Sequence, residues 1–129
     1  MLILVYILVG IFFAFMAMQY LMILRSKKNK GKRIDPLGGR LGKMMAAGER
    51  AMVYFYSPTC RACKYQTPII DRLISDGHRI QKVDISRDLS VARKFGVMAT
   101  PTTVVLKGNE IVEFMVGAKT EDKLRSYLS

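Results

Sequence analysis

The chain has 129 residues, of which 50% are hydrophobic and 24% charged, and its formal net charge is +11. That length allows one globular domain and little else. The apolar and charged residues are segregated, since residues 1–24 carry no charged side chain and all 21 Lys and Arg lie beyond them. A net +7 falls between Arg25 and Arg50. The basic excess therefore belongs to a short segment next to the apolar run, and the rest is only mildly basic.

The first 24 residues, MLILVYILVGIFFAFMAMQYLMIL, predict a transmembrane helix. At 1.5 Å per residue they would span about 36 Å, against a hydrocarbon core of about 30 Å. A cleaved secretory signal is the competing interpretation, but it would need basic residues before the run, a shorter apolar core and a small-residue cleavage site. No Lys or Arg precedes this run. The pattern therefore favours a single-pass anchor.

Residues 25–36 are predicted to form a flexible, basic linker. The segment begins RSKKNKGKR, with six basic residues just after the apolar run. Because Lys and Arg beside a span are retained in the cytoplasm, the remaining chain is expected there, with a periplasmic or extracellular face as the alternative. Residues 1–33 are expected to contact membrane lipid. No aromatic residues interleave with the basic ones, so we expect no nucleic-acid partner.

Residues 37–129 predict one α/β domain. Helices are expected at residues 41–50, 60–75, 88–95 and 120–128, and strands at 51–56, 79–85, 102–107 and 110–116. Gly108–Asn109 marks a tight hairpin between the last two strands. Strands joined through helices should be parallel, and the final hairpin is antiparallel. We therefore expect a mixed sheet of about four strands flanked by helices.

The two cysteines of the chain, Cys60 and Cys63, stand in SPTCRACK between a predicted strand and a predicted helix. The positive end of a helix favours a thiolate over a thiol. Arg61 and Lys64 add positive charge nearby. Cys60 is therefore the predicted attacking sulfur. Cys63, one helical turn on and expected to be more buried, is placed to resolve a mixed disulfide.

Three other interpretations of this pair stay open. A zinc site usually needs four ligands, and the single histidine, His78, supplies one further candidate at most. A structural disulfide across so short a loop is disfavoured, the more so in a reducing cytoplasm. An inert pair kept in a redox fold is the third. No metal or cofactor is predicted apart from the redox-active disulfide itself.

Three motifs, in the right order, resemble the thioredoxin family over roughly residues 37–129. VYFYSPTCRACKYQTP holds the strand, the dithiol and Pro68, where the family kinks its active-site helix. KFGVMATPTTVVLKGNE holds Thr100–Pro101, which matches the family's cis-proline loop, and EFMVGAKTEDKL holds Gly117 before the last helix. The resemblance implies a thioredoxin-like fold and thiol–disulfide oxidoreductase activity. It also implies that Thr100–Pro101, with Thr59, binds an extended substrate segment.

The chain departs from the family at several positions expected to tune the dithiol. Tyr54 stands where the family carries a buried acid, although Lys82 matches that acid's lysine partner. Because tyrosine titrates near 10, Tyr54 is a poor proton acceptor at neutral pH. That step falls to water, Lys82 or another group. Thr59 replaces the usual tryptophan and Arg61–Ala62 the usual Gly-Pro, so the family's reduction potential does not carry over.

The resulting hypothesis is a membrane-anchored thiol–disulfide oxidoreductase that reduces protein disulfides and receives electrons from an upstream thiol reductase. The first alternative keeps the chemistry and reverses the topology. It is an outward-facing reductant for envelope or cytochrome c thiols. The second alternative is a thioredoxin-fold interaction module that docks a partner at the membrane without turnover.

Overall fold

The computed structural model of the chain describes residues 1–128. Within that range the elements are α1 (Leu2–Asn29), α2 (Gly39–Ala46), β1 (Arg50–Tyr56), α3 (Cys63–Ser75), β2 (Ile80–Asp84), α4 (Leu89–Phe95), β3 (Thr102–Lys107), β4 (Glu110–Val116) and α5 (Glu121–Leu128). The predicted element order is confirmed. The bounds of β3 and β4 match the prediction, because both strands flank the Gly-Asn turn.

The four strands form one mixed sheet in the order β2-β1-β3-β4. β1 pairs with β2 in parallel and with β3 antiparallel, and β3 pairs antiparallel with β4. Phe55 faces Thr102, which in turn faces Val116. β1, β2 and β4 therefore end, and β3 begins, at one edge, here called the upper edge. The predicted thioredoxin-like α/β fold is confirmed.

Helices cover both faces of the sheet, so β1 is buried from residue 51 to residue 55. Successive side chains of a strand point to opposite faces. Phe55 packs on one face with Phe95 of α4, their ring centroids 5.3 Å apart. Tyr54 points to the other face, where it joins Leu73 of α3 in a second core cluster. Each buried side chain of this size contributes about 1.5–3 kcal/mol to folding.

The active-site helix begins later than predicted. α3 starts at Cys63, whereas the sequence pattern placed its start at Cys60. Residues 61 and 62 form a turn between the strand and the helix. Cys60 therefore lies just before the first helical turn, and Pro68 lies inside the helix.

Residues 25–36, predicted as a basic linker, make defined contacts with the rest of the structure. α1 continues through the basic residues to Asn29, and the segment after it pairs with β4. The Gly31 N–H donates to the Ile111 carbonyl at 2.7 Å, and the Ile34 N–H donates to the Asn109 carbonyl at 2.8 Å. Ile34 is 3% exposed in the core. An uncovered edge strand leaves backbone N–H and C=O groups without hydrogen-bond partners. Residues 31–34 supply partners for some of these groups at the outer edge of the sheet.

Side-chain contacts also hold α1 against the domain. The Asn29 Nδ2 donates to the Gly96 carbonyl at 3.4 Å. The Arg25 Nη1 lies 3.9 Å from the Met98 sulfur. By length and composition α1 is suited to cross a membrane, although a signal sequence would meet the same criterion.

Candidate active site

The dithiol lies at the upper edge of the sheet, in the turn between β1 and α3. Cys60 and Cys63 form a disulfide, with their Cα atoms 5.3 Å apart. Cys60 is half-buried, whereas Cys63 is 3% exposed. An incoming thiolate or disulfide therefore reaches the Cys60 sulfur and is screened from the Cys63 sulfur.

The first turn of α3 surrounds Cys60 with positive potential. The Cys63 backbone N–H donates to the Cys60 sulfur at 3.1 Å. The N-terminal end of a helix carries partial positive charge, which favours a thiolate there. Arg61 and Lys64 are exposed on either side of this turn, and Ala62 between the cysteines is half-buried. After reduction, the same N–H and charges favour the thiolate form of Cys60.

The Thr100–Pro101 peptide is cis and stands directly before β3. Because β3 runs antiparallel to β1, this loop lies at the same edge as the dithiol. The Thr102 hydroxyl donates to the Ala99 carbonyl at 2.7 Å, and the Pro101 carbonyl accepts the Gly117 N–H at 2.8 Å. These two hydrogen bonds hold the loop from both ends. Pro101 is buried and Thr100 is half-buried.

Tyr54 lies fully buried beneath the site, at the position of the family's acid. Its hydroxyl oxygen is 2.9 Å from the Thr67 Oγ1, and its ring stacks on Tyr56 with centroids 5.6 Å apart. Burial raises the pKa of Tyr54 above 10.0; the Thr67 hydrogen bond opposes that rise, while the charges of Asp71 and Tyr56 add to it. Tyr54 is therefore neutral at physiological pH and does not accept a proton.

Lys82 has a partner that the sequence analysis did not identify. Its Nζ donates to the Asp71 Oδ1 at 2.8 Å, with the two side chains 35% and 51% exposed. Cys63, Thr67 and Asp71 follow one another at intervals of four residues along α3. That spacing places all three on one helix face. The i, i+4, i+8 pattern was readable in the sequence, and it places Asp71 about two helical turns, roughly 12 Å along the axis, from Cys63.

Two further side chains complete the surroundings of the dithiol. Thr59 is exposed, and its hydroxyl oxygen is 3.2 Å from that of Ser57. Gln66 is fully buried in α3, and its Oε1 accepts the Lys119 N–H at 2.6 Å. This bond ties the active-site helix to the loop after β4. Sequence analysis missed Gln66 because a polar residue on an apolar helix face gives no sign of its partner.

Residues 1–128 contain no group of three or more His, Cys, Asp or Glu side chains that could hold a metal ion. His78, the one further ligand considered for a zinc site, lies half-buried in the loop after α3.

Comparison with known proteins identifies the family to which this fold belongs. The thioredoxin family model matches residues 42–129, which include the dithiol, the cis-proline loop and all four strands. This chain belongs to the thioredoxin family. Thioredoxins need no cofactor, and their working group is the redox-active disulfide. With its CxxC disulfide, the chain is a thiol–disulfide oxidoreductase of this family.

Individual thioredoxins show the extent of the likeness. The chain is 36% identical to thioredoxin of Bacillus subtilis (strain 168) over 78 residues, 58% of this chain and 75% of that protein. It is 31% identical to mitochondrial thioredoxin of Mus musculus over 80 residues, 60% of this chain and 48% of that protein. The solved structure of a point mutant of thioredoxin from Halobacterium salinarum NRC-1 is similar with a TM-score of 0.62 and 25% identity, covering 72% of this chain and 88% of that one.

Proposed function

We propose that this thioredoxin is a single-pass membrane protein that reduces protein disulfides, with Cys60 as nucleophile and Cys63 as the resolving thiol. The observation that carries the proposal is the unequal exposure of the two cysteines, with Cys60 half-buried and Cys63 3% exposed. The hydrogen bond from the Cys63 N–H to the Cys60 sulfur supports the same order.

The reaction proceeds in two exchanges. The Cys60 thiolate attacks one sulfur of the substrate disulfide, so that a mixed disulfide forms and the other substrate sulfur leaves as a thiolate that takes up a proton. Cys63 then loses its proton and attacks the Cys60 sulfur. This second exchange breaks the mixed disulfide and releases the second substrate thiol. The substrate gains two electrons, and the Cys60–Cys63 disulfide must be reduced again by an upstream thiol reductase.

The Thr100–Pro101 loop is the proposed binding site for the extended segment that carries the substrate cysteine. Its place beside the dithiol at the upper edge supports this role. The bonds of Thr102 and Gly117 keep the loop fixed while a substrate approaches. Thr59, exposed before Cys60, would contact the same segment.

The proton of Cys63 has no acceptor in Tyr54, since burial holds that phenol neutral. We assign the electrostatic control of this step to the Asp71–Lys82 ion pair, with water as the carrier of the proton. The support is the shared helix face of Cys63, Thr67 and Asp71. Arg61 and Ala62 are assigned a role in tuning the reduction potential, because they are the two residues between the cysteines.

A trapping experiment tests the proposal. A full-length Cys63→Ser variant should accumulate stable mixed disulfides through Cys60, and a Cys60→Ser/Cys63→Ser variant should accumulate none. Failure of the single variant to trap any protein would remove the enzymatic proposal. If Cys60→Ser left the cellular role intact, the non-catalytic interaction module would replace it.

The anchor and its direction are the second part of the proposal. α1 is 28 residues long, and six basic residues follow its apolar part. Because basic residues beside a span stay in the cytoplasm, we place residues 37–129 there. After reduction, a membrane-impermeant maleimide should label the cysteines only from the cytoplasmic side. Labelling from outside would select the outward-facing reductant of envelope or cytochrome c thiols.

The reduction potential distinguishes a reducing from an oxidising role, independently of the labelling experiment. The full chain is titrated in buffers of fixed potential, and a two-electron transition at about −270 mV, the value of a reducing thioredoxin, would agree with a reducing role. A transition near about −120 mV belongs to an oxidant and would contradict a reducing role.

A further inference from the structure

The position of α1 beside the domain determines the direction in which the proposed anchor extends from the domain. Residue 31, after the helix, is hydrogen-bonded to Ile111 near the start of β4. The Lys30 Nζ lies 3.2 Å from the Oε2 of Glu113, which is two residues after Ile111 along β4. Traced backwards from Asn29, α1 therefore runs beside β4 in the direction of its C-terminal end.

That end of β4 belongs to the upper edge, where the dithiol lies. The Arg25 Nη1 lies 3.9 Å from the Met98 sulfur, and Met98 stands two residues before Thr100 of the Thr100–Pro101 loop. Arg25 is also the first charged residue after the apolar stretch. This contact places Met98, which leads into the cis-proline loop, within side-chain reach of the end of the apolar stretch of α1.

The surface around this contact suits a bilayer interface. Apolar side chains stand exposed there, with Met98 80% and Val116 39% exposed. Between α1 and the domain lies an open groove of about 990 Å³, whose lining includes basic side chains of Arg25, Arg93, Lys119 and Lys123. Exposed apolar groups with cations beside them are typical of surfaces that face lipid headgroups.

We propose that the dithiol faces the bilayer surface and that its substrates are disulfides in the juxtamembrane segments of other membrane proteins. The proposal rests on the anchoring role of α1 proposed above. A disulfide held just outside the bilayer meets Cys60 at high effective concentration, because both partners are confined to the same thin layer. A disulfide far from the membrane on a folded soluble protein must enter the gap between the domain and the lipid.

The absence of tryptophan from the whole sequence permits a direct test of orientation. Three full-length variants, each with a single Trp, are reconstituted in bilayers that contain acyl-chain-brominated or headgroup-spin-labelled lipid. Phe12→Trp reports insertion of α1, Met98→Trp reports the upper edge, and Lys107→Trp, at the opposite end of β3, is the matched control. Circular dichroism verifies that each variant is folded.

The expected result is that brominated chains quench Phe12→Trp, and that the headgroup label quenches Met98→Trp several-fold more than Lys107→Trp. No quenching of Phe12→Trp would overturn the anchor and, with it, this inference. Quenching of Phe12→Trp together with equal quenching of the other two would overturn the orientation alone and leave the anchored oxidoreductase intact.

The substrate class is tested with the full chain in the same bilayers. Two transmembrane peptides carry an identical disulfide loop, one about five residues and the other about forty residues beyond the apolar stretch on a Gly/Ser spacer. The near disulfide should be reduced about tenfold faster, since effective concentration falls as the spacer lengthens. Equal rates would overturn the juxtamembrane substrate class. Reduction of neither peptide, with a free dipeptide disulfide still reduced, would overturn it as well.

Discussion

Lys30 and Glu113 form an ion pair, 3.2 Å from Nζ to Oε2, that joins the segment after α1 to β4. Burial acts to raise the pKa of Glu113, but hydrogen bonds from Lys30, the Phe114 N–H and the Tyr127 hydroxyl outweigh it and lower that pKa below 4.5. The carboxylate is therefore better stabilised in the folded chain than in the unfolded one. Glu113 thus adds stability above its ordinary pKa, and this contribution is lost as the pH falls through the lowered value.

Glu113→Gln should lower the free energy of unfolding at pH 7 by about 1 kcal/mol and flatten its decline below pH 5. Denaturant unfolding of the domain in detergent, repeated from pH 3 to pH 7, measures both effects. Glu110→Gln, on the exposed start of the same strand, is the control. An identical acid dependence in the two variants would contradict the role of Glu113.

Tyr54→Phe should leave the pH profile of disulfide reduction unchanged between pH 6 and about pH 9, because the phenol is neutral in that range. The variant should lose about 1 kcal/mol of stability, since the Thr67 hydroxyl loses its partner. The raised pKa of Tyr54 also means that its stabilising contribution is lost as the pH rises above 10.0. The alkaline loss of stability should therefore be smaller in Tyr54→Phe. A shifted activity profile would show that Tyr54 takes part in proton transfer.

Asp71→Asn and Lys82→Gln should shift the pH dependence of the second exchange, in which Cys63 resolves the mixed disulfide, in opposite directions. Asp71 lies about 12 Å along the helix axis from Cys63, and at that range a negative charge weakly disfavours the Cys63 thiolate while a positive charge weakly favours it. The pH at half-maximal rate should fall by about 0.3 in Asp71→Asn and rise by a similar amount in Lys82→Gln, a small effect because both side chains are partly exposed. Rapid-mixing kinetics of mixed-disulfide resolution measures the shift. Identical midpoints in both variants and the native chain would remove the pair from the mechanism.

Ile34→Ala should destabilise the domain by about 2–4 kcal/mol, because the side chain is 3% exposed in the core. Asp35→Ala, exposed next to it, should change stability by less than about 0.5 kcal/mol. Thermal unfolding compares the two. Equal melting temperatures would mean that the domain begins at residue 37, as the composition of the sequence indicates.

The sequence predicted the parts of this fold that depend on local pattern. The apolar run TTVVLK before Gly108–Asn109 and the alternation of EIVEFMV after it located β3 and β4, and the CxxC and Thr-Pro motifs located both halves of the candidate site. The docking of Ile34 was not predictable in this way, because its partners on β4 lie some 75 residues further along the chain. Local composition there resembles a tether, and only the tertiary pairing with an edge strand overrides it.

The later start of α3 has the same kind of cause. Helical periodicity extends back to Cys60, but the Ser57 carbonyl accepts the Cys60 N–H at 3.2 Å and closes a turn before the helix. Asp71 was missed as the partner of Lys82 for a different reason. The sequence places one on a helix and the other on a strand, and only the packing of α3 on β2 brings them together.

The pairing of residues 31–34 with β4 also determines how this protein meets its partners. A free linker of twelve residues would let the domain sweep about 20 Å from its anchor. The hydrogen bonds of Gly31 and Ile34 remove that freedom, so the domain moves only as α1 moves. With α1 as the proposed anchor, encounter with the proposed membrane partners becomes a two-dimensional search, with a frequency set by lateral diffusion and by the surface density of those partners.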